Sequence, residues 1–267
     1  MKCSNSPDEV EFVCCEQTGP EETHPNQIYT PSNNQGNIMV HGPMNAEVSS
    51  SIPVPHCVRG RSVEKVGRLI NIRIGEYNTE TNPDCVSDGI ERICNDPVQN
   101  LAVEEIIPHE NYVPDNLSNN QNDIALIRMS GNVKFSEFVS PICLPTPDFA
   151  GTPVGKDVII SGWGQTLEQT RSSVKTKVNI PIVSFERCQR EYNERTSLSS
   201  ELQLCAGGNY IQDACFRDSG GPLISRQNGA WIAEGIVSFG IGCGLEISSV
   251  YTKVSAFVPW IHRNMKP

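Results

Sequence analysis

Asp218-Ser219-Gly220-Gly221-Pro222 lies between Cys215 and the apolar pair Leu223-Ile224, and it is the stretch of this chain best suited to covalent chemistry. A serine among glycines in a tight turn can gather backbone N–H groups on one point. They would hold a developing oxyanion there, while the hydroxyl needs a base to become a nucleophile. Taken alone, the five residues also suit an ordinary glycine-rich turn. Asp123 opens the apolar run DIALIRM, where a buried carboxylate is costly unless it orients a partner such as a histidine. Of five histidines, His56 is followed by Cys57 and stands before Asp123, which stands before Ser219; His24, His41, His109 and His262 lack this framing.

The elements that must position these side chains come from 267 residues, enough for one large domain or two small ones. The net charge of -10 and the lack of a basic block argue against nucleic acid or an anionic membrane as partner. No run of about 18 apolar residues occurs, and Met1-Lys2-Cys3-Ser4 leads into Pro7-Asp8-Glu9, so neither a membrane span nor a signal peptide is expected within the chain. Eleven cysteines point to an oxidising, extracellular setting, and their odd number leaves at least one thiol unpaired within the chain. Zinc is the competing reading of clustered cysteines, but no C-x-x-C stands with a matching second pair.

Residues 1–58 carry one base, Lys2, and seven acids, six of the ten net negative charges. Residues 16–37 read as a disordered linker, because a Pro, Asn, Gln and Glu mixture buries too little surface to order itself. Beyond Arg59 short apolar runs alternate with Gly, Pro, Asn and Asp: LINIRIG, LAVEEII, DIALIRM, DVIISGWG, KVNIPIV, GPLIS, WIAEGIVSFG and SVYTKV. These runs predict strands, and their number predicts an all-β barrel or sandwich. Two short helices are expected, one over 184–193 and one in the last dozen residues, where Val254, Phe257, Val258 and Ile261 share a face.

From about residue 56 onward the stretches HCVRG, IRIGEYNT, PHENY, NDIALIRM, PICLP, SGWG, QLCAGG, DSGGPL, GIVSFG and VYTKV run in one order. That order resembles the trypsin/chymotrypsin-like serine proteases, and in particular the clip-domain proteases of arthropod cascades. The resemblance implies two antiparallel six-stranded barrels and a short C-terminal helix. It implies Ser219 as nucleophile, His56 as general base and acid, and Asp123 as the group fixing the imidazole tautomer. The backbone N–H groups of Arg217 and Ser219 would form the oxyanion hole. Asp213 would lie at the bottom of the primary specificity pocket and select Arg or Lys, with Ser238, Gly240 and Ser249 along its walls.

By the same likeness, Cys188 pairs with Cys205, Cys215 with Cys243 and Cys85 with Cys94, while Cys143 occupies a position that tethers the catalytic domain to a pro-segment. Cys3, Cys14 and Cys15 resemble the end of a clip domain. The implied organisation is a clip remnant over 1–15, the linker over 16–37 and the protease domain over 38–267. Glu76 and Asn78 sit where related proteases sometimes hold calcium, and oxygen ligands suit that ion; a solvated loop is the alternative. Asn116-Leu117-Ser118 is one glycosylation acceptor. The expected partners are a protein substrate, an upstream activating protease and serpin-type inhibitors.

Four features depart from the pattern. No Lys or Arg lies between Lys2 and Arg59, and Ile38-Met39-Val40-His41-Gly42, the echo of an activation terminus, follows Asn37. Only 17 residues separate Ile38 from His56, which leaves Cys57 without its usual bridging partner and predicts an incomplete first barrel with an open edge. Arg217 stands where the oxyanion hole normally has glycine, so a Cβ opposes the conformation that aims its N–H. Ser249 replaces a glycine of the pocket wall and narrows the pocket. A non-catalytic protease homologue acting as a binding cofactor is therefore the alternative function.

Overall fold

The computed structural model describes the backbone of residues 51–54 and, in full, residues 69–87, 89, 91–113, 120–163, 172–192, 196–208, 219–240 and 246–265. The expected clip remnant and linker lie outside the described residues. Twelve strands and two helices are described: β1 Ser51–Val54, β2 Asn71–Ile74, β3 Cys85–Ser87, β4 Arg92–Cys94, β5 Gln99–Pro108, β6 Ala125–Met129, β7 Asp157–Gly162, β8 Thr176–Val183, α1 Phe185–Tyr192, β9 Gln203–Gly207, β10 Pro222–Gln227, β11 Ala230–Phe239, β12 Ser248–Lys253 and α2 Val254–Asn264. Every apolar run predicted as a strand is one. The segments β1, β3, β4 and β9 were not predicted, being too short or too polar to declare themselves by alternation.

The second half closes into a six-stranded barrel in the order β10-β11-β12-β9-β8-β7. Inward residues of these strands make one core, Val158, Ile160, Ile180, Ile182, Ala206, Leu223, Val237 and Tyr251. β-branched and aromatic side chains at every second position fill the interior, as closure requires. At Gly235 there is no room for more: an added Cβ would stand 3.1 Å from Tyr251 and 3.2 Å from Leu223.

The first half forms a four-stranded sheet in the order β1-β6-β5-β2, with β3 and β4 as a separate pair. The expected incompleteness of this first barrel concerns the span before His56, most of which lies outside the described residues. Its centre is β6, buried along its whole length. β1, with the sequence SIPV, pairs antiparallel to β6, with Val54 opposite Ala125.

Helix α2 packs Val254, Phe257, Trp260 and Ile261 against Ile124, Leu126 and Ile236, and so seals the junction of the two halves. Trp260 extends the apolar face expected from sequence, and Val258 packs at its margin. Arg128 of β6, itself buried, donates to the carbonyl of Asn264 at 2.8 Å and also pairs with Glu105 of β5. No helix among the described residues is long and apolar enough to cross a membrane.

Candidate active site at the junction of the two halves

Asp123 stands two residues ahead of β6, in a turn set by Asn122. Asn122 adopts φ 57°, a left-handed conformation that asparagine tolerates better than most residues. Its carbonyl accepts the N–H of Ile124 at 2.8 Å. The chain thereby enters β6 with Asp123 only 7% exposed. One carboxylate oxygen, Oδ2, accepts the hydroxyl of Ser238 at 2.6 Å, and the Asp123 carbonyl accepts the Thr252 hydroxyl at 2.7 Å. Asp123 thus joins the first sheet to β11 and β12 of the barrel.

The sequence placed Ser238 along a pocket wall and missed this bond. The signal lies in the register of β11 on β12, which shifts between Val237 and Phe239. Ser238 is the extra residue of that bulge, and bulges re-aim a side chain. The same strand anchors the turn that carries Ser219. Gly220 N–H donates to the Val237 carbonyl at 3.0 Å and Val237 N–H donates to the Gly221 carbonyl at 2.9 Å. Gly220 has φ 93°, which suits glycine at this turn. Ser219 is exposed while Asp123 is buried, the distribution a nucleophile and an orienting carboxylate require. His56, Arg217 and Asp213 lie outside the described residues.

Gly240 and Ser249, two of the expected wall positions, face each other: a Cβ on Gly240 would stand 3.1 Å from the Ser249 hydroxyl. Ser249 is itself 3% exposed. It pairs with Ala206 on β9, and Ser248 pairs with Gly207. Helix α1 is fixed to this strand by the Cys188–Cys205 disulfide. The Cys85–Cys94 disulfide closes the β3–β4 hairpin. Both expected pairings are present; Cys215 and Cys243, like Cys3, Cys14, Cys15 and Cys57, lie outside the described residues. Cys143 is buried and bonds to no cysteine among them.

The candidate calcium loop has a different electrostatic arrangement from an oxygen cage. Glu76, buried, accepts Tyr77 N–H at 2.9 Å through one oxygen and pairs with Arg73 Nε at 2.5 Å through the other. Asp84 accepts the N–H groups of Tyr77 and Asn78 at 3.2 and 2.8 Å and the hydroxyl of Thr81. Asn78 Oδ1 accepts Glu80 N–H at 3.2 Å. Lys175 is buried beside them, its N–H donating to the Tyr77 carbonyl at 2.8 Å and its ammonium 5.3 Å from the Trp163 ring centre. Burial pushes Lys175 down to about 8, against the opposing pull of Glu76 and Asp84. Oxygens already engaged by donors, with two side-chain cations at hand, do not fit a calcium ion.

Comparison with known proteins agrees with this architecture. The Trypsin family model matches residues 55–261. CLIP domain-containing serine protease B9 of Anopheles gambiae is 42% identical over 212 residues, covering 79% of this chain and 52% of that protein. Phenoloxidase-activating factor 1 of Holotrichia diomphalia is 40% identical, covering 81% of this chain and 59% of that one. The chain therefore spans little more than half the length of these relatives. Among solved structures, the Drosophila Grass clip serine protease of the Toll pathway superposes with a TM-score of 0.69 at 32% identity, over 81% of this chain and 62% of that one. With its strand order, its bulged Ser238 on a buried Asp123 and this family match in agreement, the chain belongs to the trypsin family of serine proteases, with a domain like those of the clip-domain proteases.

Proposed function

We propose that the chain is the protease part of an extracellular serine endopeptidase that cleaves peptide bonds after Arg or Lys in a proteolytic cascade. The observation that carries this reading is the buried Asp123 carboxylate, which accepts the Ser238 hydroxyl from the strand that also anchors the turn of Ser219. In the reaction that follows, His56 takes the Ser219 proton as the hydroxyl attacks the scissile carbonyl and returns it to the leaving amine. Asp123, buried and steadied by Ser238, orients the imidazole and stabilises its charged form. The N–H groups of Ser219 and Arg217 receive the oxyanion. Asp213 pairs with the basic side chain of the substrate, between walls at Gly240 and Ser249. Two disulfides support an oxidising compartment, and the name of one relative, phenoloxidase-activating factor 1, supports a protein substrate.

A second reading, a non-catalytic homologue that binds partners in such a cascade, is favoured by Arg217 at the oxyanion hole. Fluorophosphonate labelling separates the two. On the catalytic reading, Ser219 is labelled after limited proteolysis, His56→Ala abolishes the label, and Arg-ended peptide inhibitors compete while Phe-ended ones do not. No label under any processing condition would overturn the catalytic reading and leave the binding reading ahead. Competition by the Phe-ended inhibitors alone would refute the assignment of Asp213.

A further inference from the structure

Helix α1 ends in two consecutive residues that grip the same peptide unit pair on β12. Glu191 Oε2 accepts the N–H of Ser248 at 2.8 Å, and the Tyr192 hydroxyl donates to the Ser248 carbonyl at 2.7 Å. Both backbone groups of the residue before Ser249 are therefore fixed from the helix. Glu191 is held in turn by Arg187, whose Nε lies 2.7 Å from Oε1. Burial alone would raise the Glu191 carboxyl, but the bonds from Ser248 and Arg187 hold it below its ordinary value.

The other wall is carried by the same turn of helix. The Tyr192 ring meets Phe239, the residue before Gly240, edge to face with centres 5.7 Å apart. Little slack remains around the clamp. Gly208 has φ 79°, and a Cβ there would stand 3.1 Å from the Ser248 hydroxyl, 3.2 Å from Ser248 N and 3.2 Å from the Arg187 guanidinium. The Cys188–Cys205 disulfide prevents the helix from drifting along β9.

We propose that Glu191 is a positioning residue for substrate recognition: through Ser248 it sets the separation of Ser249 from Gly240, and hence the width of the pocket that takes the basic side chain. The inference rests on the pocket assignment made under the proposed function. Glu191 touches no substrate; it acts by holding the strand that does. A peptide N–H bonded to a carboxylate is held more firmly than one bonded to a neutral acceptor, so the clamp stiffens the wall without narrowing it further.

The test uses p-aminobenzamidine, whose fluorescence reports binding in such a pocket, together with hydrogen exchange over residues 246–252. Glu191→Ala is expected to weaken amidine binding about tenfold, the effect of losing one charge-assisted hydrogen bond, and to speed exchange at Ser248. Glu191→Gln keeps an acceptor oxygen and restores binding to within about threefold, since a neutral acceptor replaces the charged one. Arg187→Met, which leaves Glu191 in place, gives a smaller loss in the same direction and serves if Glu191→Ala does not fold. Glu186→Gln, exposed on the first turn, leaves both readouts unchanged. Faster exchange and lower melting temperature with unchanged amidine affinity would make Glu191 merely structural and overturn the inference while leaving the pocket intact. Failure of the unmutated chain to bind the amidine overturns the pocket assignment and this inference with it.

Discussion

Ser238 and Asp123 belong to opposite halves of the molecule, 115 residues apart, and are joined by a 2.6 Å hydrogen bond from hydroxyl to carboxylate. The bond exists because a bulge in β11 turns Ser238 toward the head of β6. A buried carboxylate needs such donors to remain charged, and a charged carboxylate is what an orienting residue must be.

Removing that donor tests its importance. Ser238→Ala is expected to slow fluorophosphonate labelling of Ser219 about tenfold or more, since a hydrogen bond to a charged group contributes about 1.5–3 kcal/mol. Labelling rate against reagent concentration measures this, and an unchanged rate would show that Asp123 is held sufficiently by Thr252 and its turn.

The two disulfides should differ in weight. Cys188–Cys205 spans 17 residues and Cys85–Cys94 spans 9. In the chain-entropy picture the longer loop contributes about 3 kcal/mol, or roughly 6–12 °C in melting temperature for a domain of this size. Replacing both cysteines of the 188–205 pair by alanine is expected to lower the calorimetric midpoint by that amount, and replacing the 85–94 pair to lower it less.

Lys175 predicts an alkaline effect. Its ordinary value is 10.5 and its folded value about 8, so between these the unfolded chain holds a proton that the folded chain has released. Stability from this group is present above 10.5 and is lost as pH falls toward 8, by about 3 kcal/mol. Urea midpoints measured from pH 7.5 to 10.5 should rise in the native chain relative to Lys175→Met.

The same loop predicts indifference to calcium. With Arg73 and Lys175 beside Glu76 and Asp84, neither a chelator nor millimolar calcium should move the melting temperature. A rise of several degrees on adding calcium would mean that the metal displaces these cations.

His109 predicts an acid effect of the same cause. Burial lowers its pKa below 6.5, with Glu110 opposing and Arg263 assisting, while its ring packs on Phe257 and Trp260 at 5.3 and 5.0 Å. The contribution is complete above pH 6.5 and is lost as pH falls through the folded value. Imidazole NMR should show His109 titrating below its ordinary 6.5, and the shift should be lost when the chain is unfolded.

What the sequence by itself determined is the list of strands with regular alternation, the two helices and the chain order of His56, Asp123 and Ser219, features that depend on local periodicity or on motifs short enough to read along the chain. The two disulfide pairings were implied by the family resemblance. The tertiary structure alone decided the bulge that gives Asp123 its hydroxyl, the clamp of Glu191 and Tyr192 on Ser248, and the filling of the Glu76–Asp84 loop by Arg73 and Lys175. Each brings together residues from different elements, and for Asp123, Ser248 and Lys175 the contacts cross 56 to 115 residues or more of chain. Their geometry follows from strand register and burial. Register is a property of two strands and burial of the whole fold, so neither is written in any single stretch of residues.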